Sequence, residues 1–220
     1  MGSSVTPTSR RARNPRGQGR QLREDIVSAA HALLHEAGED GVTLRAIARR
    51  IGISAPSIYA HFTDRESVLL AVAIDAFADL TRYLRAAADA ADTGSGGESE
   101  VLRAVCAGYL RFAREHPADY QVMFGGAWNG ARAVETGAVT TEQVRELGAE
   151  ALTVFATALR RCHATHDAVQ EDIATAATTV WVGLHGLAHQ RIVAPGFPWP
   201  ADAEAHLIAR LTGLPATPHP

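Results

Sequence analysis

Apolar positions over residues 20–37 fall at Leu22, Ile26, Ala29, Ala30, Leu33 and Ala37, a spacing of three and four that lines one face of a helix. Gly38 follows as its stop. Leu44, Ile47, Ala48 and Ile51 then predict a two-turn helix, with Thr43 as its cap and Gly52 as its end. After the turn Gly52-Ile53-Ser54 comes a third short helix, from Ala55 to about His61. Ser54 caps it, and Pro56 sits in its first turn, where a missing N–H costs little. Asp64 opens a longer helix to about Asp89, with Val68, Val72, Phe77 and Leu80 apolar.

The helical period persists to the end of the chain. A Gly/Ser loop at 93–97 precedes a helix over about 98–116, which Pro117 breaks before a shorter one through Phe124. Residues 125–137 read as irregular. Thr140 with Gln143, and Asp167 with Gln170, have capping-box spacing and introduce two long helices, about 141–162 and 168–192. A proline-rich break at 195–200 leads to a last helix ending at Gly213. The expected class is all-α: an arm over 1–19, a three-helix helix-turn-helix domain over 20–66 and a helical bundle over 67–220.

Charge sharpens that division. Residues 1–65 carry ten arginines against six acids, a net of +4, which leaves −7 for the other 155 residues of a chain at −3. All 21 basic residues are arginine, and six of them fall in residues 1–23 without an acid. A basic front on an acidic body suits a protein that meets phosphate with one end. The apolar fraction of 46% argues against disorder. Cys106 and Cys162 fall inside helical patterns and read as reduced, buried thiols. The longest apolar run, Val68–Ile74, is too short to span a bilayer. Arg10-Arg11 is followed by a polar stretch and not by an export signal's apolar segment, so a cytoplasmic protein is expected.

Two short helices joined by a glycine-containing turn form the unit that inserts its second helix into the DNA major groove. Ile47, Ala48, Ile51, Ile53, Ile58 and Phe62 can pack it against the first helix. Ser54, Ala55, Pro56, Ser57, Tyr59 and His61 remain for base edges, thymine methyls and phosphates. Thr43, Arg45 and Arg65 stand at helix starts, where phosphate is favoured. A compact three-helix subdomain of no function has the same apolar pattern, but not the outward Tyr and His or the arginine-rich lead.

Residues 41–72, GVTLRAIARRIGISAPSIYAHFTDRESVLLAV, resemble the DNA-binding domain of the TetR/AcrR family of transcriptional regulators. The matching positions are Thr43, Ile47-Ala48, Gly52-Ile53-Ser54, Tyr59, His61-Phe62, Arg65-Glu66 and Leu69, with arginine at 65 where the family usually has lysine. HPADYQVMFG (116–125) and WVGLHGLAHQ (181–190) are similar to the subgroup with a Trp-His-Gly signature. The resemblance implies a ligand-binding and dimerisation body, in which Gly183 and Gly186 permit close helix packing. It also implies a homodimer on a palindromic operator, released by a small molecule.

Tyr109, Phe112, Tyr120, Met123, Phe124, Trp128, Trp181 and His185 are the candidates for a ligand cavity, which wants apolar walls and a few polar groups. The same residues also suit an ordinary aromatic core. Two stripes, Val144, Leu147, Ala151, Leu152, Phe155, Leu159 and Ile173, Ala177, Val180, Leu184, Leu187, fit either a four-helix contact with a second copy or the chain's own core. The arginines of the arm reach the minor groove or stay solvated. His185 with His189, and His163 with His166, offer nitrogens to zinc but lack a partnering acid or cysteine pair, so no metal or cofactor is expected. No nucleophile elbow, phosphate loop or dinucleotide fingerprint is present, so the enzyme reading has no motif behind it. A DNA-binding regulator without a ligand switch is the alternative.

Overall fold

The computed structural model describes residues 18–94, 96–125, 130–135, 137, 139–164 and 172–215; residues 1–17 of the expected arm, Trp128, His166 and the Asp167–Gln170 spacing lie outside them. Among the described residues the chain is helical throughout, without strands. It forms two units, residues 1–65 and 66–220.

In the first unit, α1 (Gln18–Gly41) is interrupted at Gly38, whose φ of 66° and ψ of −166° break the helix where the sequence places its stop. Its buried face is Ile26, Val27, Ala29, Ala30 and Leu34. That face is turned slightly from the expected stripe: Leu22 and Leu33 are half-buried, and Ala37, beside the break, is exposed. The Thr43 hydroxyl accepts the Ala46 N–H at 3.1 Å and starts α2 (Leu44–Ile51). Gly52, at φ 72°, turns the chain out of it, a left-handed conformation that disfavours any residue with a Cβ.

α3 (Ala55–Ile58) has one regular turn, shorter than expected. The Ile58 carbonyl then accepts the N–H groups of both His61, at 2.8 Å, and Phe62, at 2.9 Å, so helical winding carries on to Phe62 in irregular form. Ile47, Ile58 and Phe62 are buried, α1 packs on α2, and α2 packs on α3. The Arg23 guanidinium covers the Phe62 ring at 4.8 Å.

α4 (Arg65–Asp92) leads into the second unit, followed by α5 (Gly97–Glu115) and α6 (Pro117–Phe124), separated by Pro117 as expected. A short α7 (Gly130–Glu135) occupies part of the stretch read as irregular. Where one long helix was expected there are two, α8 (Thr141–Glu146) and α9 (Ala149–Ala164). The capping box forms, with Thr140 N–H to Gln143 Oε1 at 2.8 Å and Gln143 N–H to Thr140 Oγ1 at 3.2 Å, but the helix it opens is short. The cause is Gly148. It adopts φ 76°, and a Cβ there would lie 2.9 Å from the Phe77 ring, so the chain bends to let that ring approach.

α10 (Ile173–Val193) starts at Asp172, whose carboxylate accepts the Ala174 N–H and the Thr175 hydroxyl. α11 (Ala203–Thr212) ends at Gly213. α5 and α10 pack on α9, and α11 covers both α5 and α10. Gly183 does what its small size suggests, since a Cβ there would meet the Leu211 side chain at 2.5 Å. The core of this unit includes Leu84, Leu102, Cys106, Phe155, Leu159 and Leu184. Both cysteines are buried thiols, and burial pushes that of Cys106 up to about 12. No helix among the described residues is long and apolar enough to cross a membrane.

Candidate functional site

In the first unit the outward residues follow from the burial of their neighbours. Ile58 and Phe62 point inward, which leaves Tyr59 as an exposed large hydrophobic side chain, at 60%. Ser54 and Pro56 are exposed, while Ala55, Ser57 and His61 are half-buried. Ser54 stands at the cap position of α3, but its hydroxyl bonds the Ser57 hydroxyl at 2.8 Å and not a backbone N–H. The segment therefore presents two hydroxyls side by side and a phenol next to them, on a buried apolar anchor.

The arginines of this unit have different fates. Arg50 makes a two-pronged pair with Glu36, at 2.6 and 2.7 Å, and that hydrogen bonding raises the arginine's pKa and lowers the carboxylate's. Arg65 donates to the Val42 carbonyl at 2.9 Å and the Glu39 carbonyl at 3.0 Å, with the Glu39 carboxylate 3.6 Å away. It thereby ties the end of α1 and the entry to α2 to the start of α4. Arg45 and Arg49, one turn apart on α2, are exposed, with no acidic partner among the described residues. Arg49 was not among the residues singled out from the sequence. Its spacing of four from Arg45 was the available signal, but Arg50 looks the same in sequence, and Glu36 on α1 is what separates them.

The second unit holds a cavity of about 370 Å³ among α4, α5, α6, α8, α9 and α10. Of the expected lining residues, Tyr109, Met123, Phe124 and Trp181 face it. Phe77, absent from that set, lines it too, standing edge-on to Phe124 at 5.5 Å. Phe112 does not line it. It is 1% exposed, packed against Tyr83 and stacked on His116, one turn along α5 from Tyr109 and away from the cavity.

Tyr120 and His185 stand behind Tyr109. His185 Nδ1 lies 2.8 Å from the Tyr120 hydroxyl and 3.3 Å from that of Tyr109. Burial raises both phenols, that of Tyr120 to about 12, and the Trp181 indole N–H acts on the Tyr109 oxygen in the opposite sense. Burial, and then the neighbouring His189, lowers His185. All three groups are therefore neutral near pH 7. Tyr120 occupies His185 Nδ1, and the His189 ring stacks beside it at 6.0 Å. A second cavity, about 380 Å³ between α5 and α11, is walled by alanines together with the charged Glu100, Arg103 and Glu204.

The two stripes that fitted either a second copy or the core are largely core. Ala151, Phe155, Leu159, Ala177, Val180 and Leu184 are all buried within the chain. The face of α10 left open carries Thr175, Thr178, Thr179, Val182, Gly186 and Gln190, with Val182 54% exposed. A Cβ on Gly186 would meet nothing of the chain within 4 Å.

Residues 26–72 match the family model described as bacterial regulatory proteins, tetR family, and residues 102–214, just over half of the chain, match the tetracyclin repressor-like C-terminal domain. The chain is 28% identical over 113 residues to an HTH-type transcriptional regulator of Mycobacterium tuberculosis, covering 51% of this chain and 47% of that protein. It is 39% identical over 56 residues to the class D tetracycline repressor protein of Escherichia coli, 26% of each. The chain thus spans about half the length, or less, of the curated relatives it matches. A solved structure from Rhodococcus sp. RHA1, described as a protein with unknown function, superposes with a TM-score of 0.71 at 25% identity, over 93% of this chain and all of that one.

Proposed function

The chain belongs to the TetR family of bacterial regulatory proteins, and we propose that it is a homodimeric repressor released from a palindromic operator by a small molecule. Binding DNA and regulating transcription come with the family, whose members are regulators and not enzymes. The observation that carries the finer reading is the open edge of residues 54–61, where Tyr59 stands out beside the paired Ser54 and Ser57 hydroxyls on a buried Ile58–Phe62 anchor. Ser54, Ala55, Pro56, Ser57, Tyr59 and His61 supply the base and sugar contacts in this reading. Thr43, Arg45 and Arg49 meet phosphates, the two arginines lying one 5.4 Å turn apart. Arg65, held by two carbonyls, fixes the frame and adds its charge from there.

A two-fold dimer sets two such edges about one DNA turn, or a multiple, apart. The open face of α10 is the surface we assign to it, since Thr178, Val182 and Gly186 let a second helix come close. The effector occupies the cavity of about 370 Å³, within the range of about 300–1,000 Å³ usual for small-molecule sites. A coupling of about 1–3 kcal/mol between effector and operator gives roughly 5–150-fold relief, and by reciprocity the operator weakens effector binding equally.

The DNA contacts are tested on an operator selected from random duplexes by the protein itself. Arg49→Ala is expected to lower the slope of log affinity against log salt by about 1 per protomer. Arg50→Ala, whose arginine is already paired with Glu36, leaves the slope unchanged. Equal effects of the two substitutions would contradict the assignment.

A further inference from the structure

From the groups that line the cavity of the second unit, we infer that its ligand is an uncharged aromatic hydrocarbon of two or three fused rings, held by its apolar surface and not by hydrogen bonds. This rests on the cavity being the effector site, as proposed above.

The polar groups of the wall serve one another. Among the described lining residues, only Tyr109, Trp181 and Arg145 carry side-chain nitrogen or oxygen. The Trp181 indole, which can only donate, is hydrogen-bonded to the Tyr109 hydroxyl, and that hydroxyl is bonded in turn to Tyr120. The Tyr120 hydroxyl lies 2.8 Å from His185 Nδ1, so the chain of bonds leads away from the cavity and ends on a ring nitrogen. Tyr109 is itself only 1% exposed. A ligand hydroxyl or carbonyl entering this space gives up its hydration and meets no unspent partner, which is costly.

Charged ligands fail on the same ground. No acid stands among the described lining residues, and their one cation, Arg145 on α8, is exposed and paired with Glu142 at 3.1 Å. Burial keeps the Tyr109 and Tyr120 phenols and the His185 imidazole uncharged behind the wall. Neither an anion nor a cation finds a free opposite charge to replace its water.

What remains is apolar and largely aromatic. Phe77 and Phe124 meet edge to face at 5.5 Å, Phe124 and Trp181 lie 6.2 Å apart, and Tyr109 and Phe155 6.1 Å apart. Rings in such arrangements favour a further ring placed edge-on or offset between them. The Met123 thioether in the same lining also contacts rings favourably. Size sets the number of rings. An apolar cavity of about 150 Å³ holds one benzene ring. The 370 Å³ available here therefore suits two or three fused rings.

Three probes of nearly one shape separate the possibilities on the full chain: 2-methylnaphthalene, 2-naphthol and 2-naphthoate, each titrated calorimetrically. The methyl compound is expected to bind about tenfold more tightly than the naphthol, and the naphthoate most weakly. Tyr109→Phe removes the acceptor of the Trp181 N–H and leaves a donor at the wall, so it should narrow the preference for methyl over hydroxyl by about threefold or more. Leu152→Trp fills the cavity and abolishes binding, the smaller Leu152→Phe weakens it, and melting curves show which variants fold. Naphthol or naphthoate binding as tightly as the methyl compound, or a preference untouched by Tyr109→Phe, overturns the ligand class and leaves the cavity as a site. Failure of all three probes to bind, or binding that survives both substitutions of Leu152, removes the cavity reading, and the ligand class with it.

Discussion

The two units place their functional side chains in opposite ways. In residues 18–65 the candidate groups face outward, and the buried residues beneath them serve as an anchor: Ile58 and Phe62 are inside, Tyr59 and Ser54 outside. In residues 66–220 the candidate groups face inward and bond one another, as Tyr109, Tyr120 and His185 do. An outward site can change its residues at little cost to the fold, since its side chains carry few packing contacts. An inward site is made of core, so altering it alters stability as well. The same contrast holds for charge. Arg45 and Arg49 have no acidic partner among the described residues of the first unit, whereas Arg145 at the cavity is already held by Glu142.

The largest expected break in that contrast is Phe155→Ala. Phe155 is fully buried and also lines the cavity, so its truncation should cost about 3–5 kcal/mol of the second unit's stability while enlarging the site. Chemical denaturation followed by circular dichroism reads this. A cost below that of an ordinary surface substitution, about 0.5 kcal/mol, would mean the inward site is not core. Gly148→Ala is expected to have a smaller effect, about 1–3 kcal/mol, because it forces a side chain into a left-handed conformation and against Phe77. Its melting point should fall, and probe binding in the cavity should weaken with it. A variant as stable as the parent would show that the bend between α8 and α9 does not depend on that glycine.

How much could be read in advance follows from the range of the interactions. The helix-turn-helix was legible because its signals are local: the Thr43 hydroxyl reaches only to Ala46, and Gly52 turns the chain at its own position. The capping box at Thr140 and Gln143 was legible for the same reason. The break after it was not, because Gly148 is one of 19 glycines and its reason is Phe77, on another helix. Phe112 and Phe77 illustrate the same limit in the cavity. Both are aromatic residues on apolar helix faces, and the packing of α4 and α5 decides which one meets the space. The stripes on α9 and α10 have the right period for a contact with a second copy, but periodicity does not identify the partner, and most of those residues meet their own chain. Arg49 and Arg50 are neighbours in sequence, and Glu36 alone tells them apart.

The central claim, that residues 54–61 read DNA through side chains open to solvent, is tested most directly by Tyr59→Ala binding to the selected operator at fixed salt. With a melting point equal to the parent's, the account predicts a loss of operator affinity of about tenfold or more, with binding to random duplex little changed. Operator affinity equal to that of the unaltered protein would contradict it.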